Sequence, residues 1–517
     1  MKFSSFGLVL GSVAILCSCK PQVVSRAPEA PDATASPVAT ATPAPVAMTL
    51  RALGGARGDG KTDDRMAIAE ALKKANGQPV DGEGLTYAVY GTTLVRGVNV
   101  DLRNATIKQI LPAYDTTKYI VSASGTAPPT TVLPEGSFLG MVDGLPKMTA
   151  FATAWYDQDP VVPESEREDL ERMIHCRTFF VLGEKEAPVS VKLENVKILR
   201  GDNPENGMHT NSGGLVLQNC QPVMLTNVEL SGAGKGNGVA IFHCKNVRIK
   251  GMYVHDIIWA PYKGDMLYTK ALLQDKVGWN NAPIYDYDGN KKRFCRVRIQ
   301  EQANGVVISE SDDVHFTDSR IDRVGAFVEG VFYPWQGDGM TIGSVTNLVI
   351  KNCKISNVWE GIDMTGHGND GFVHENVETS DTFAYGFKYA HPQKNGKVIN
   401  CTATRANYHA FTISDESENI EFINCMAKDT GMLPYWWHDG SAKHVGGYTV
   451  DGNGQDRFAK NIVFRNCVAI NTNTPSTLGV GFSMPHQNAA PEYGMKAINT
   501  KVEGAVQAYN NFQPVAE

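Results

Sequence analysis

From Gly238 to Phe482 the chain repeats one short phrase: a small residue, an apolar residue, a variable residue, a second apolar residue. "GVAI" starts at Gly238, "GVVI" at Gly305, "GMTI" at Gly339, "GIDM" at Gly361, "GFKY" at Gly386, "AFTI" at Ala410, "GYTV" at Gly447 and "GVGF" at Gly479. The central starts lie 22, 25 and 24 residues apart. Between them runs a second alternating segment, as in "TNLVIKNCKISN", "NGKVINCTAT", "ENIEFINCMAKD" and "KNIVFRNCVAIN". Apolar and polar residues alternating with period two predict strands with one buried face. Asn and Gly gather at the junctions, where corners are needed.

A repeat in the low twenties carrying two or three short strands fits one turn of a solenoid. Leucine-rich repeats share the period but need a leucine signature that is missing here, and propeller blades are nearly twice as long. The expected architecture is therefore all-β, a right-handed single-stranded parallel β-helix. Three segments break the period: 112–175, 257–298 and 431–446. Long loops on a rigid solenoid are expected to wall a binding face. The second carries Trp259 and Tyr262 among its aromatics, the third Trp436 and Trp437. Flat aromatic faces of this kind stack on the apolar faces of sugar rings.

With 42% hydrophobic and 20% charged residues among 517, the chain has the balance of a globular protein. Its net charge of -7 argues against nucleic-acid binding, which uses a basic face. "MKFSSFGLVLGSVAILCSC" reads as an export signal too short to span a membrane comfortably. Its "LCSC" end resembles a bacterial lipobox, which implies removal of residues 1–18, lipidation of Cys19 and a lipoprotein of the outer membrane, on its periplasmic or surface side. The Pro/Ala/Thr-rich residues up to 47 then form a tether, and 48–517 the folded domain. Eight cysteines follow Cys19. They lack CxxC spacing, so a zinc site is not expected, and five share one repeat phase ("LQNC", "IKNC", "VINC", "FINC", "FRNC"). That phase predicts a stacked row of small apolar side chains in preference to disulfides.

At the start of the domain, "GARGDGKTDDRMAIAEALKKANG" places turn residues before a helical pattern at Met66, Ile68, Ala69 and Leu72. It resembles the "GDGxTDDxxAIxxAL" opening of the pectate-lyase-like β-helix superfamily, which includes family 28 polygalacturonases, polysaccharide lyases, mannuronan C5-epimerases and tailspike depolymerases. The resemblance implies a helix capping the first rung, with Asp59, Asp63 and Asp64 as turn and cap residues. It also implies activity on a polysaccharide.

The variable residue of each phrase projects outward, since alternate side chains of a strand face opposite ways. Asp363, Lys388 and Thr412 hold that position in successive rungs, which stack about 4.8 Å apart. Nearby stand His367, Tyr389, His391, Arg405, Tyr408 and His409, a convergence of cation, imidazole and phenol expected of an active site. Trp335 and Trp359 flank the same rungs and join the expected substrate contacts. "QGDGMTIG" resembles the first aspartate element of family 28, with Asp338. Where that family has an aspartate pair stands Trp359-Glu360, and its histidine falls in register on Tyr385. Inverting hydrolysis needs two carboxylates with room for water, a role for Asp338 and Glu360. β-Elimination on a uronic acid needs instead a cation against the carboxylate, a base for the C5 proton and an acid for the leaving oxygen. Lys388, His367 or His391, Tyr389 and Arg405 match that inventory. "YGFKYAHPQ" also resembles, without its Asp-Pro, the "YGFDPHE" segment of the C5-epimerases. The expected function is lyase-type cleavage of an acidic, uronic-acid-containing polysaccharide. Hydrolysis, epimerisation or non-catalytic carbohydrate binding are the alternatives. No cofactor is required. "YDYDGN" and "DGNGQD" offer oxygen-rich turns to a calcium ion without fitting an EF-hand pattern, and turn chemistry alone accounts for their residues.

Overall fold

The computed structural model describes residues 48–90, 92–110, 138–142, 145–148, 177–201, 213–233, 236–259, 303–328, 331–333, 337–366, 368–431, 445–451, 458–485, 493–512 and 514–516. Residues 1–47, which hold the expected export signal and Cys19, lie outside these, as do Tyr262, Trp335, His367, Trp436 and Trp437. Strand Tyr253–Trp259 runs two residues beyond the expected start of the second insertion.

Alternation in the sequence becomes a right-handed parallel β-helix. One coil runs through Thr346–Lys351 in sheet A, Lys354–Val358 in sheet B and Ile362–Thr365 in sheet C, then returns to sheet A at Asn369–Glu375. The three sheets hold 13, 14 and 12 strands among the described residues. The repeated phrase is the sheet C strand. Met340, Ile362, Phe387, Phe411, Tyr448 and Phe482 are paired in register from rung to rung and point inward. Phe387, Phe411, Tyr448 and Phe482 stack with ring centroids 4.6–4.9 Å apart and planes 4° from parallel.

Glycine leads the phrase because the backbone passes too close for a side chain. A Cβ on Gly339 would meet the Gly361 carbonyl oxygen at 2.6 Å, and one on Gly361 the Gly386 oxygen at 2.3 Å. Gly361→Ala is therefore expected to cost about 1–3 kcal/mol, by forced displacement of the neighbouring rung. Denaturant unfolding measures it.

The Asn of the "NC" pairs ending at Cys353, Cys401, Cys425 and Cys467, and Asn376 before Val377, turn the corner from sheet A to sheet B, whereas Asn219-Cys220 turns from sheet C to sheet A. Asn352, Asn376, Asn400, Asn424 and Asn466 have φ of 53–55°, a left-handed conformation that Asn tolerates better than most residues. Their side-chain amides form a ladder, as in Asn376 Nδ2 donating to Asn352 Oδ1 at 3.1 Å. The next residue points in. Cys353, Cys401, Cys425 and Cys467 are free and buried, as the stacked-row expectation required; Cys220, expected in the same phase, is free and buried with Cys244 at the other corner, between sheets C and A.

Helix Arg65–Ala75 closes the first coil with Ile68, Ala71, Leu72 and Ala75 buried, while Met66, expected on that face, is exposed. Asp64 accepts from the backbone N–H groups of Arg57 (2.7 Å) and Gly58 (2.9 Å). Asp59 accepts from Thr62 N–H and hydroxyl and from Lys61 N–H, which lowers its pKa to about 2. These are turn-forming roles, as the opening motif implied.

Candidate active site on sheet C

Two side-chain columns run along the outside of sheet C, set by two positions of the phrase. The variable position gives Thr341, Asp363, Lys388, Thr412 and Thr449, paired rung to rung. The residue just before each leading small residue gives Asn304, Asp338, Glu360, Tyr385 and His409. Elsewhere along the solenoid these positions are mostly apolar, hydroxyl or amide, as at Ala240, Val307, Asn304, Thr412 and Thr449. Over the three rungs of strands Met340–Gly343, Ile362–Thr365 and Tyr385–Tyr389 they become charged.

There Lys388 Nζ lies 2.8 Å from Glu360 Oε2 and 3.3 Å from Asp363 Oδ1. Asp338, Glu360 and Asp363 are buried, and one carboxylate oxygen of each lies within 4.8 Å of the others. Such a trio could hold a divalent cation, but the Lys388 ammonium already supplies the positive charge at two of its members. Thr341 Oγ1 donates to Asp338 Oδ2 at 3.1 Å, while Asp338 Oδ1 has no hydrogen-bond partner among the described residues.

Protonation follows from these contacts. Burial, with the Glu360 and Asp363 charges, raises the Asp338 pKa well above the carboxylate range, outweighing Lys388 and Thr341. Asp338 is thus the carboxyl group of the trio whose surroundings favour the protonated form. Burial alone would pull Lys388 down, but Asp363 and Glu360 outweigh it and hold the ammonium charged far into the alkaline range. The cluster therefore sets a carboxyl group that favours its proton beside two others anchored by an ammonium.

Tyr385 continues the column. Lys388 Nζ sits 5.6 Å from its ring centroid, and Tyr408 meets it edge-on at 5.5 Å. His409 Nδ1 accepts from the Gly446 backbone N–H at 3.0 Å, which places its neutral-state proton on Nε2. Thr449 Oγ1 lies 3.1 Å from the same Nδ1.

Several expected site residues are elsewhere. Tyr389 shares the inward phase of Phe387 two residues earlier. It is fully buried and 3.0 Å from His374 Nδ1, inside the solenoid. Arg405 lies at the exposed corner after Thr402–Thr404, where its Nε donates to Asp381 Oδ1 at 2.6 Å, away from the sheet C columns. Trp359 faces the core and stacks on Phe383 with centroids 4.6 Å apart. His391 occupies the exposed corner beyond strand Tyr385–Tyr389 with φ of 64°. Tyr408 and His409 are buried and brace Tyr385, so they lack the open ring faces expected of substrate contacts. Trp259 closes its strand, and its side chain is outside the described set. Asp338, Glu360, Asp363 and Lys388 do come together. The carboxylate oxygens stand too close for the water-wide gap of roughly 6.5 Å or more that separates an inverting pair. Thr341 and Tyr385 were absent from the expected set. Their signal lay in the same two columns, read one rung further each way.

Arg405→Ala tests the reassignment. An exposed ion pair is worth under about 1 kcal/mol, so stability should change little and turnover not at all; a large loss of turnover in a steady-state assay would return Arg405 to the site.

This architecture is the fold of a right-handed parallel β-helix. A family model described as "right handed beta helix region" matches residues 284–490, and one described as the N-terminal extension of bacteriophage endosialidase matches 56–94. Among solved structures, the chain is similar to the A-module of the Azotobacter vinelandii mannuronan C-5 epimerase AlgE6 (10% identity, 91% of this chain and 99% of that one, TM-score 0.48). It is also similar to the Yersinia enterocolitica family 28 exopolygalacturonase (12% identity, 91% and 78%, TM-score 0.40). The Dettilon tailspike protein aligns at 10% identity over 89% and 68% with TM-score 0.42. No curated protein matches the sequence.

Proposed function

We propose that the chain is a polysaccharide-active enzyme working at Asp338, Glu360, Asp363 and Lys388, with hydrolysis of a glycosidic bond as its reaction: carboxyl groups this close suit double displacement, in which Asp338 gives its proton to the leaving oxygen, Glu360 or Asp363 attacks the anomeric carbon, and water then releases the sugar. The observation that carries this reading is the arrangement itself: a fully buried Asp338, whose surroundings favour its proton, beside Glu360 and Asp363 held by an ammonium. Carboxyl groups placed in unlike surroundings are how one site supplies both an acid and a nucleophile. The cationic inventory that favoured β-elimination is smaller than the sequence implied, since Arg405 and Tyr389 lie elsewhere and Lys388 is engaged by two carboxylates. A polymer suits a polar row running across successive rungs, and the resemblance of the opening motif to polysaccharide-active β-helices supports the same class.

β-Elimination on a uronate is the second reading. It is favoured by the Tyr385 phenol, a group able to exchange a proton with a reacting sugar, whose ring lies 5.6 Å from the Lys388 ammonium.

Incubating the 48–517 chain with a panel of neutral and acidic polysaccharides separates these readings. New reducing ends without ultraviolet absorbance mean hydrolysis. New ends with the absorbance of an unsaturated uronate mean elimination. Binding without either product, unaltered in Lys388→Met, would leave a carbohydrate-binding module.

A further inference from the structure

A second feature lies around the corner from the cluster, where sheet C strands turn into sheet A. The first residues of sheet A strands there stack Lys394 on Glu418 and Glu418 on Lys460 in paired register. Tyr493 sits one rung above Lys460, because Lys496, three residues on, pairs with Val463. Beside this column stand Glu416 and Phe458. Together these residues line an open cleft of about 550 Å³, within the roughly 300–1,000 Å³ usual for ligand sites. Phe458 and Tyr493 are half-buried, with centroids 5.1 Å apart and planes inclined by 48°. Lys394 Nζ lies 2.8 Å from Glu418 Oε1, and both remain well exposed.

The geometry points to this cleft as a second saccharide-binding site, separate from the acidic cluster and taking an acidic sugar chain. Two inclined rings present an apolar surface, and the rim carries the Lys460 and Lys394 ammonium groups one and three rungs from Tyr493. A sugar ring has an apolar C–H face to lay on an aromatic ring and hydroxyls at its edge. A carboxylate on that ring would be met by Lys460. The alternation of Lys394, Glu418 and Lys460 supplies donors and acceptors at rung spacing, about 4.8 Å, so a chain lying along the solenoid axis meets a polar partner at each coil. An apolar protein segment would find little here beyond the two rings. The site's place beyond the ends of the strands that carry Lys388 lets it hold a distant part of the same polymer. That last point rests on the proposed activity, whereas the binding does not.

Calorimetric titration of the 48–517 chain with oligogalacturonate, oligomannuronate and a neutral glucan oligosaccharide tests it. The acidic oligosaccharides should bind, roughly tenfold more weakly to Tyr493→Ala, and similarly more weakly to Lys460→Glu, a surface exchange that leaves the fold's core untouched. Turnover of the shortest cleavable oligosaccharide should be unchanged in both. Unaltered affinity in both variants, absence of binding by any acidic probe, or equal binding of the neutral one would overturn the assignment. A wild-type chain that binds, loses binding in these variants and turns nothing over retires the enzymatic reading while upholding the cleft. Turnover with unaltered binding in the variants does the reverse.

Discussion

Lys388→Met is expected to abolish turnover, by roughly a thousandfold or more, and to destabilise the fold by about 3–5 kcal/mol. The ammonium is three-quarters buried and is the group that bonds both Glu360 and Asp363. Methionine keeps most of the volume and removes the charge, leaving two buried carboxylates facing each other and Asp338. The sign with pH follows. In the wild type the Lys388 pKa is raised, so its contribution is fully present below 10.5, the ordinary lysine value, and is lost only as pH climbs through the higher folded value. In Lys388→Met the carboxylates lose their counter-charge and favour protonation, so the variant should lose stability as pH rises from the ordinary carboxylate range. Thermal melting across that range records the slope. Adding Glu360→Gln and Asp363→Asn should recover the melting temperature without recovering activity, which separates charge compensation from packing. A single variant that retains turnover would remove the cluster from the chemistry.

How far all this could be seen in advance differs between the two periodicities of the chain. The strand period of two was legible because it is enforced by burial on every rung: Ile362 and Met364 cannot exchange faces with Asp363 without exposing two apolar side chains. The same rule placed Lys388 beside Asp363, and the structure pairs them directly. It should also have placed Tyr389 inside, because 387 and 389 share a face. Its phenol finds a partner there only because His374, one strand earlier on sheet A, is also inward, a neighbour that is fifteen residues away in sequence. Arg405 was misplaced for a different reason. Distance along a rung was read as distance in space, but the corner between sheets B and C turns 405 away from the strand that starts at His409. The corner Asn residues and the leading glycines looked like punctuation in the sequence, yet they fix which residue precedes the strand, and that is what aligns Asp338, Glu360 and Tyr385. Proton state was the least legible. Asp338 and Glu360 occupy equivalent positions one rung apart, and what sets Asp338 apart is complete burial with two carboxylates opposing its charge, which only folding assembles.

Asp338→Asn isolates that proton. An amide imitates the neutral acid in shape and can still accept from Thr341, so the fold should be kept. The wild-type group has its folded pKa raised above the unfolded 3.8, so the stability it contributes is full below 3.8 and is lost as pH rises from there through the folded value. Asn has no such proton. The melting temperature of the variant relative to wild type should therefore climb as pH rises across that window, and at neutral pH the variant should be at least as stable as the parent. Turnover should move the other way. An amide cannot donate a proton to a leaving oxygen, and loss of a general acid costs about a hundredfold to ten-thousandfold. A more stable and inactive protein is the signature of a residue kept for chemistry at the expense of the fold. If Asp338→Asn instead kept its activity with the altered pH slope, the buried acid would be a structural proton, and the donor would have to be sought at Tyr385.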